Sequence, residues 1–101
     1  MAKVSAVQRD LKRRKLAKKY EAKRAALKEI IMDKSVSPEE RFKAAMKMAE
    51  LPKNSAKERI RNRCAVTGRP RGFHRKFNLS RNQLRELGYK GFLPGLTKSS
   101  W

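Results

Sequence analysis

Between Glu58 and Glu86 the chain has no acidic residue. A soluble domain left to hold itself together would not concentrate like charge in this way, so a dense polyanion has to supply the missing negative charge. Other scarcities narrow the field. One cysteine, Cys64, excludes an internal disulfide and fits a reducing compartment. Leu, Ile, Val and Phe together make 20 of the 101 residues, which leaves room for one small core at most. No apolar run approaches the length of a membrane span, and no membrane partner is expected. The N-terminus has charge but lacks the apolar segment of a secretory signal, so the expected location is cytoplasm, with an organelle descended from one as the lesser choice. Asn78-Leu79-Ser80 matches a glycosylation acceptor, which reads as chance without a secretory route. The one histidine, His74, has arginine and lysine neighbours and no carboxylate to orient it. Cys64 has no evident catalytic partner, and neither a Walker loop nor a dinucleotide fingerprint occurs. No enzyme, cofactor or small-molecule substrate is expected.

What the chain does have is positive charge. Its 28 Lys and Arg stand against 9 Asp and Glu, a net charge of +19. Self-repulsion at that charge opposes compaction, so the free chain is expected to be partly ordered and to complete its fold on binding. Residues 1–30 hold 11 cations and 3 acids, residues 31–55 hold 5 and 4, and residues 56–101 hold 12 and 2. Two basic ends flank a nearly neutral middle. The acid-free stretch carries Arg59, Arg61, Arg63, Arg69, Arg71, Arg75, Lys76, Arg81 and Arg85, with Gly68, Pro70, Gly72, Phe73, His74 and Phe77 among them. Arginine's planar fork pairs bidentately with phosphates and guanine edges and stacks on bases, so its dominance here points to RNA.

Residues 3–31 read as one helix, rich in Ala, Leu, Lys, Arg and Glu and free of Gly and Pro. Leu16, Tyr20, Leu27 and Ile31 form a narrow apolar stripe, and Lys12, Arg13, Arg14 and Lys18 lie among the cations around it. Two readings stand: a solvated amphipathic helix packed by its stripe, or a helix laid along RNA. Ser37-Pro38-Glu39-Glu40 reads as a helix start with a capping box, and Pro52 ends that helix. Its expected inner face is Phe42, Ala45, Met46 and Ala49, widened by Met48 and Leu51. That face either folds back on the first helix or is offered to a partner protein. Ser55 and Glu58 suggest a short helical turn leading to Cys64. Ser80 opens a last helix with Gln83 as a second capping box, and Gly88 reads as its stop. Leu79, Leu84, Leu87, Phe77 and Val66 are the expected apolar cluster of this part.

The ordered segments Arg61-Asn62-Arg63-Cys64, Thr67-Gly68-Arg69-Pro70-Arg71-Gly72, Arg75-Lys76-Phe77-Asn78-Leu79-Ser80-Arg81 and Arg85-Glu86-Leu87, with Pro94-Gly95 and the final Ser100-Trp101, resemble the S-fourteen family of small-subunit ribosomal proteins. The resemblance is close over residues 59–101 and looser before them, where the length and the basic helical start match the long form of the family. In the short form, the positions of Cys64, Thr67, Ser80 and Gln83 are cysteines that bind zinc. Hydroxyl and amide groups cannot replace thiolates for that metal, so the resemblance is to the long, zinc-free form. The implied fold is mostly α and irregular. Residues 1–55 form a basic helical extension with a long first helix and a second helix. Residues 56–101 form a zinc-ribbon-like, metal-free RNA-binding module with a short helix and an extended tail.

The implied function is that of a structural constituent of the small (30S) subunit, binding 16S-type rRNA in the subunit head near the aminoacyl-tRNA site. Neighbours of the S-three, S-ten and S-nineteen families are implied partners. The candidate rRNA-binding residues are the nine cations from Arg59 to Arg85, with Lys98, Lys12, Arg13, Arg14 and Lys18. Gly68 and Gly72 are expected to let the backbone approach RNA. Phe73 and His74 either stack on bases or pack, Trp101 either stacks or docks the chain end, and Phe77 reads as core. The competing reading is a DNA- or RNA-compacting protein outside the ribosome, which shares the charge but not the order of the motifs. A membrane-active cationic helix would need a broader apolar face than residues 3–31 offer.

Overall fold

The computed structural model describes residues 2–99, so the expectation for Trp101 lies outside the described residues. The order of elements is helix α1 (Val4–Met32), helix α2 (Pro38–Glu50), two single 3-10 turns (Lys53–Ser55 and Lys57–Arg59), strand β1 (Phe73–His74), strand β2 (Leu79–Ser80) and helix α3 (Arg81–Tyr89). The described chain is mostly helical, with one small sheet. It divides into two compact units, Gln8–Ile60 and Met1–Val7 with Arg61–Trp101.

In the unit Gln8–Ile60, the stripe Leu16, Tyr20, Leu27 and Ile31 is half-buried, and Arg13, Ala17 and Arg24 continue it at helical spacing. The one buried residue of α1 is Asp10, whose Oδ2 accepts a 2.9 Å hydrogen bond from Arg14 Nε one turn along. After α1 the chain turns on Asp33: the backbone N–H and hydroxyl of Ser35 both donate to its Oδ1, at 2.9 and 2.7 Å. These two bonds hold the Asp33 carboxyl below its ordinary pKa. Desolvation opposes them weakly, and the charge of Arg41 adds to them.

The face of α2 keeps the expected Met48 and Leu51 but departs from expectation at Phe42 and Met46. Arg41, Met48 and Leu51 are half-buried and Ala44 is buried, whereas Phe42 is 68% exposed and Met46 53% exposed. Both stripes have helical spacing. The inner one is chosen because Arg41 Nε donates to the Ile31 carbonyl at the end of α1, at 3.0 Å, and because Ala44 is small enough to approach closely. The expected capping box is absent too. Ser37 makes no side-chain cap, so the start of α2 rests on Pro38 and on Glu39 and Glu40, which complement the helix dipole. Pro52 does end the helix. Its carbonyl accepts from Arg24 Nη2 at 3.1 Å, and Arg24 Nε donates to the buried Ser55 hydroxyl at 2.9 Å. The 3-10 turns stop at Arg59, short of the turn expected to reach Cys64.

The second unit is built on backbone bonds. Gly68 N–H donates to Cys64 O at 2.9 Å, and Cys64 N–H donates to Arg69 O at 3.0 Å, closing a tight loop. Gly68 has φ +76°, and a Cβ there would sit 2.8 Å from Val7 Cγ2 and 3.2 Å from Ala2 Cβ. The space at this glycine is therefore filled by the chain's own first residues and is not left for RNA. Ala2 N–H donates to Thr67 O beside it, at 3.2 Å. β1 and β2 pair antiparallel, with Phe73 opposite Ser80 and His74 opposite Leu79. Asn78 at φ +55° turns the chain between them, a conformation asparagine tolerates well. Ala65 N–H donates to Asn78 O at 2.9 Å, and Arg81 N–H to Gly72 O at 2.7 Å, so the loop, the hairpin and α3 form one web. The core of this web is Cys64, Leu79 and Ser80, with Phe77, Leu84 and Leu87 half-buried around it; Val66, expected in this cluster, is 59% exposed.

α3 runs past its expected stop. Gly88 lies inside the helix, where Leu96 Cδ2 would come within 2.6 Å of a Cβ. The stop is Gly91 at φ +76°: its N–H donates to Gly88 O at 3.2 Å, and Phe92 N–H donates to Leu87 O at 3.1 Å. That pair of bonds is a Schellman termination. Among the described residues no helix is long and apolar enough to cross a membrane.

Candidate nucleic-acid interface

The hairpin and α3 hold out most of the acid-free stretch. Arg71 lies on the loop before β1, Arg75 and Lys76 on the connection between the strands, and Arg81 and Arg85 on α3; all five are exposed. Arg69 is half-buried. Neither it nor Arg71, Arg75 or Arg81 makes a side-chain hydrogen bond or ion pair with a described residue, because no acid is close in sequence to claim them. The stem of Arg81 crosses Gly72, whose φ of +64° and missing Cβ leave room for it at 3.2 Å. Lys76 stands over the Phe77 ring at 5.7 Å. Of the aromatics, Phe73 and Phe77 are half-buried and His74 is exposed.

Other expected contacts are placed differently. Arg63 is half-buried, and its Nη1 donates to Gly68 O at 3.0 Å, so it braces the tight loop. Arg59 Nη1 donates to Asn54 Oδ1 at 3.3 Å. Arg61 is exposed. On α1, Lys12, Arg14 and Lys18 are exposed, Arg13 is half-buried in the stripe, and Arg14 is paired with Asp10. Lys98 is exposed in the tail.

Cys64, Thr67, Ser80 and Gln83 are linked through short contacts. The Cys64 thiol is buried, which raises its pKa. Donation from the Thr67 hydroxyl and from the backbone N–H groups of Thr67, Ser80 and Val66 outweighs that and lowers it to about 6. Ser80 Oγ accepts from Gln83 N–H at 3.5 Å, one half of the expected capping box. The other half is absent, since Gln83 Nε2 donates to Glu86 Oε2 at 3.3 Å. One thiolate, two hydroxyls and an amide are a poor donor set for zinc. Among the described residues, no three His, Cys, Asp or Glu side chains gather as a metal site.

Residues 47–100 match the family described as ribosomal protein S14p/S29e. The chain belongs to this family. Proteins named small ribosomal subunit protein uS14 align with it end to end, each chain covered in full: 62% identical in Mesorhizobium japonicum, 61% in Chelativorans and 60% in Bartonella bacilliformis. Membership in a ribosomal protein family makes the chain a structural constituent and not an enzyme. For such a chain, sequence reasoning missed Tyr89. It lies four residues after Arg85 on α3, and the Arg85 guanidinium stands 5.4 Å from its ring centroid. Hydrogen bonding and charge from Arg85, and then from Lys98, hold the phenol below its ordinary pKa. The i, i+4 spacing of an arginine and an aromatic was the available signal.

Proposed function

We propose that the protein is a structural component of the small ribosomal subunit and acts by binding 16S-type rRNA through its hairpin and α3. One observation carries this reading: Arg71, Arg75 and Arg81 are exposed on a backbone-braced scaffold with no described protein partner. Folded RNA brings phosphates close together, and unpaired arginines of this kind neutralise them while releasing counterions. Family membership supports the same reading.

The finer reading places the protein in the subunit head near the aminoacyl-tRNA site, in cytoplasmic ribosomes. Arg69, Lys76 and Arg85 join the phosphate contacts, and Arg61, Lys98 and the exposed α1 cations Lys12 and Lys18 extend them. His74 stacks on RNA in preference to Phe73, because it is the exposed member of the pair. Neighbours of the S-three, S-ten and S-nineteen families are the protein partners. The exposed Phe42 and Met46 on the nearly neutral middle segment favour a protein neighbour there over RNA. The corner of Cys64, Thr67, Ser80 and Gln83 acts as a metal-free form of the zinc knuckle. The N–H groups that would steady a metal-bound thiolate converge instead on Cys64 alone, and bound rRNA supplies the rest of the stability.

Sedimentation of native particles tests the main claim. Ribonuclease should release the protein from the small-subunit fraction, and deoxyribonuclease should leave it there. The reverse pattern would favour the DNA-compacting reading. Elemental analysis of the same particles should find no zinc stoichiometric with the protein; zinc at one equivalent would overturn the metal-free corner.

A further inference from the structure

A second feature of the C-terminal unit is a groove of about 410 Å³ between α3 and the tail, lined by Arg81, Arg85, Tyr89, Leu96 and Lys98 among others, with no acid in its wall. Its volume is within the range of ligand pockets. Leu96 closes its floor against Gly88, where any larger residue would push the tail away. Tyr89 is 64% exposed, with the guanidinium of Arg85 over its ring, so much of the ring surface remains open. Lys98 reaches the phenol from the tail. An exposed aromatic ring among three cations matches the two parts of a nucleotide. A base stacks on the ring, and its phosphate meets the ammonium and guanidinium groups. An apolar protein partner would leave the three charges desolvated and unpaired.

We propose that Tyr89, Arg85 and Lys98 form a platform for one unpaired nucleotide of the small-subunit rRNA, with the base on the Tyr89 ring and the phosphate held by Arg85 and Lys98. This rests on the rRNA-binding reading above. It adds an aromatic contact and gives the tail a role, since Lys98 completes the site only while Leu96 is seated on Gly88.

The test measures affinity of the full-length protein for small-subunit rRNA across a salt series. Tyr89→Phe, which keeps the π face but loses the phenol beside Arg85 and Lys98, should bind more tightly than Tyr89→Leu. Tyr89→Leu, which keeps apolar bulk on an exposed position but has no π face, should bind roughly tenfold more weakly with the same salt slope. Arg85→Ala should weaken binding and also make the slope shallower by about 0.7, the share of one phosphate contact. Zero-length ultraviolet crosslinking in assembled subunits should give a nucleotide adduct on Tyr89. If Tyr89→Leu binds within about twofold of the parent while Arg71→Ala/Arg75→Ala still weakens binding, the platform is wrong and the rRNA reading survives. A crosslink from Tyr89 to a protein would also overturn it. If the parent chain shows no preference for small-subunit rRNA over unrelated RNA, the functional reading and the platform fall together.

Discussion

The two units use arginine in opposite ways. In Gln8–Ile60, arginines tie the structure together: Arg14 to Asp10, Arg24 to Ser55 and the Pro52 carbonyl, and Arg41 to the Ile31 carbonyl. In the unit that holds the hairpin, the backbone does that work, through Cys64 to Arg69, Ala65 to Asn78 and Arg81 to Gly72. Arg63 is drawn inward there, onto Gly68 O. A chain with few large apolar residues has two ways to hold shape without a sizeable core. Guanidinium groups can satisfy carbonyls that would otherwise go unmet, or tight loops can satisfy them directly. The second way leaves the cations available. Positive charge is therefore a poor guide to RNA contact in this molecule unless the internal partners are subtracted first.

The largest expected effect tests that division directly. Replacing Arg71, Arg75 and Arg81 together with alanine should weaken rRNA binding roughly a hundredfold at moderate salt and make the salt slope shallower by about 2. The helical circular dichroism should be unchanged. Replacing Arg24 and Arg41 should do the opposite, lowering helical stability with little change in slope. If the Arg24 and Arg41 substitutions alter the slope as much as the hairpin substitutions, the comparison fails.

Gly68→Ala comes next and probes the backbone-built unit. A left-handed φ and a Cβ 2.8 Å from Val7 Cγ2 together should cost about 2–4 kcal/mol. Gly95→Ala is the control: φ is +75°, but nothing lies within 4 Å, so only the backbone strain of about 1 kcal/mol applies. Amide hydrogen exchange at Cys64 and Ala65, whose N–H groups close the loop and the hairpin, should accelerate strongly in the first variant and little in the second. In the arginine-tied unit the matching change is smaller. Arg24→Lys keeps the charge but cannot reach Ser55 and Pro52 with a planar fork, and leaves a buried hydroxyl short of a donor, at about 1–2 kcal/mol. Urea unfolding followed at 222 nm would read that loss.

Where the sequence had strong local signals, it was legible. The extent of α1 followed from Ala and Lys without Gly or Pro, and α2 was framed by Pro38 and Pro52. The inner face of α2 was not legible, because Phe42 and Met46 are the more apolar residues, yet Arg41 and Ala44 face inward. That choice is made by a hydrogen bond to Ile31 O, which is a tertiary event. The hairpin escaped notice because strands of two residues have no alternation to read. Gly88 reads as the stop from the sequence, and the close approach of Leu96 is what accounts for a glycine inside the helix there. At the candidate interface, the cations could be read as a set. Which of them are engaged internally could not, since Arg24 and Arg71 differ only in what the fold brings near them.

The remaining test concerns Cys64, where the backbone-built unit acts on a titrating group. Burial disfavours the thiolate, but the Thr67 hydroxyl and the N–H groups of Thr67, Ser80 and Val66 donate to it and bring the folded pKa to about 6. An unfolded cysteine titrates near ~8.5. The folded value is depressed, so the stabilisation is fully present above the unfolded value and is lost as pH falls through the folded one. Protection of the Ala65 and Arg81 amides, corrected for intrinsic exchange, should therefore rise between pH 6 and pH 8.5 in the parent chain. Cys64→Ser keeps a small polar group that does not ionise in this range, and its protection should be flat across it. A flat profile in the parent chain as well would mean that the converging N–H groups do not hold a thiolate. The backbone web would then owe its shape to loop geometry alone, with no electrostatic share from Cys64.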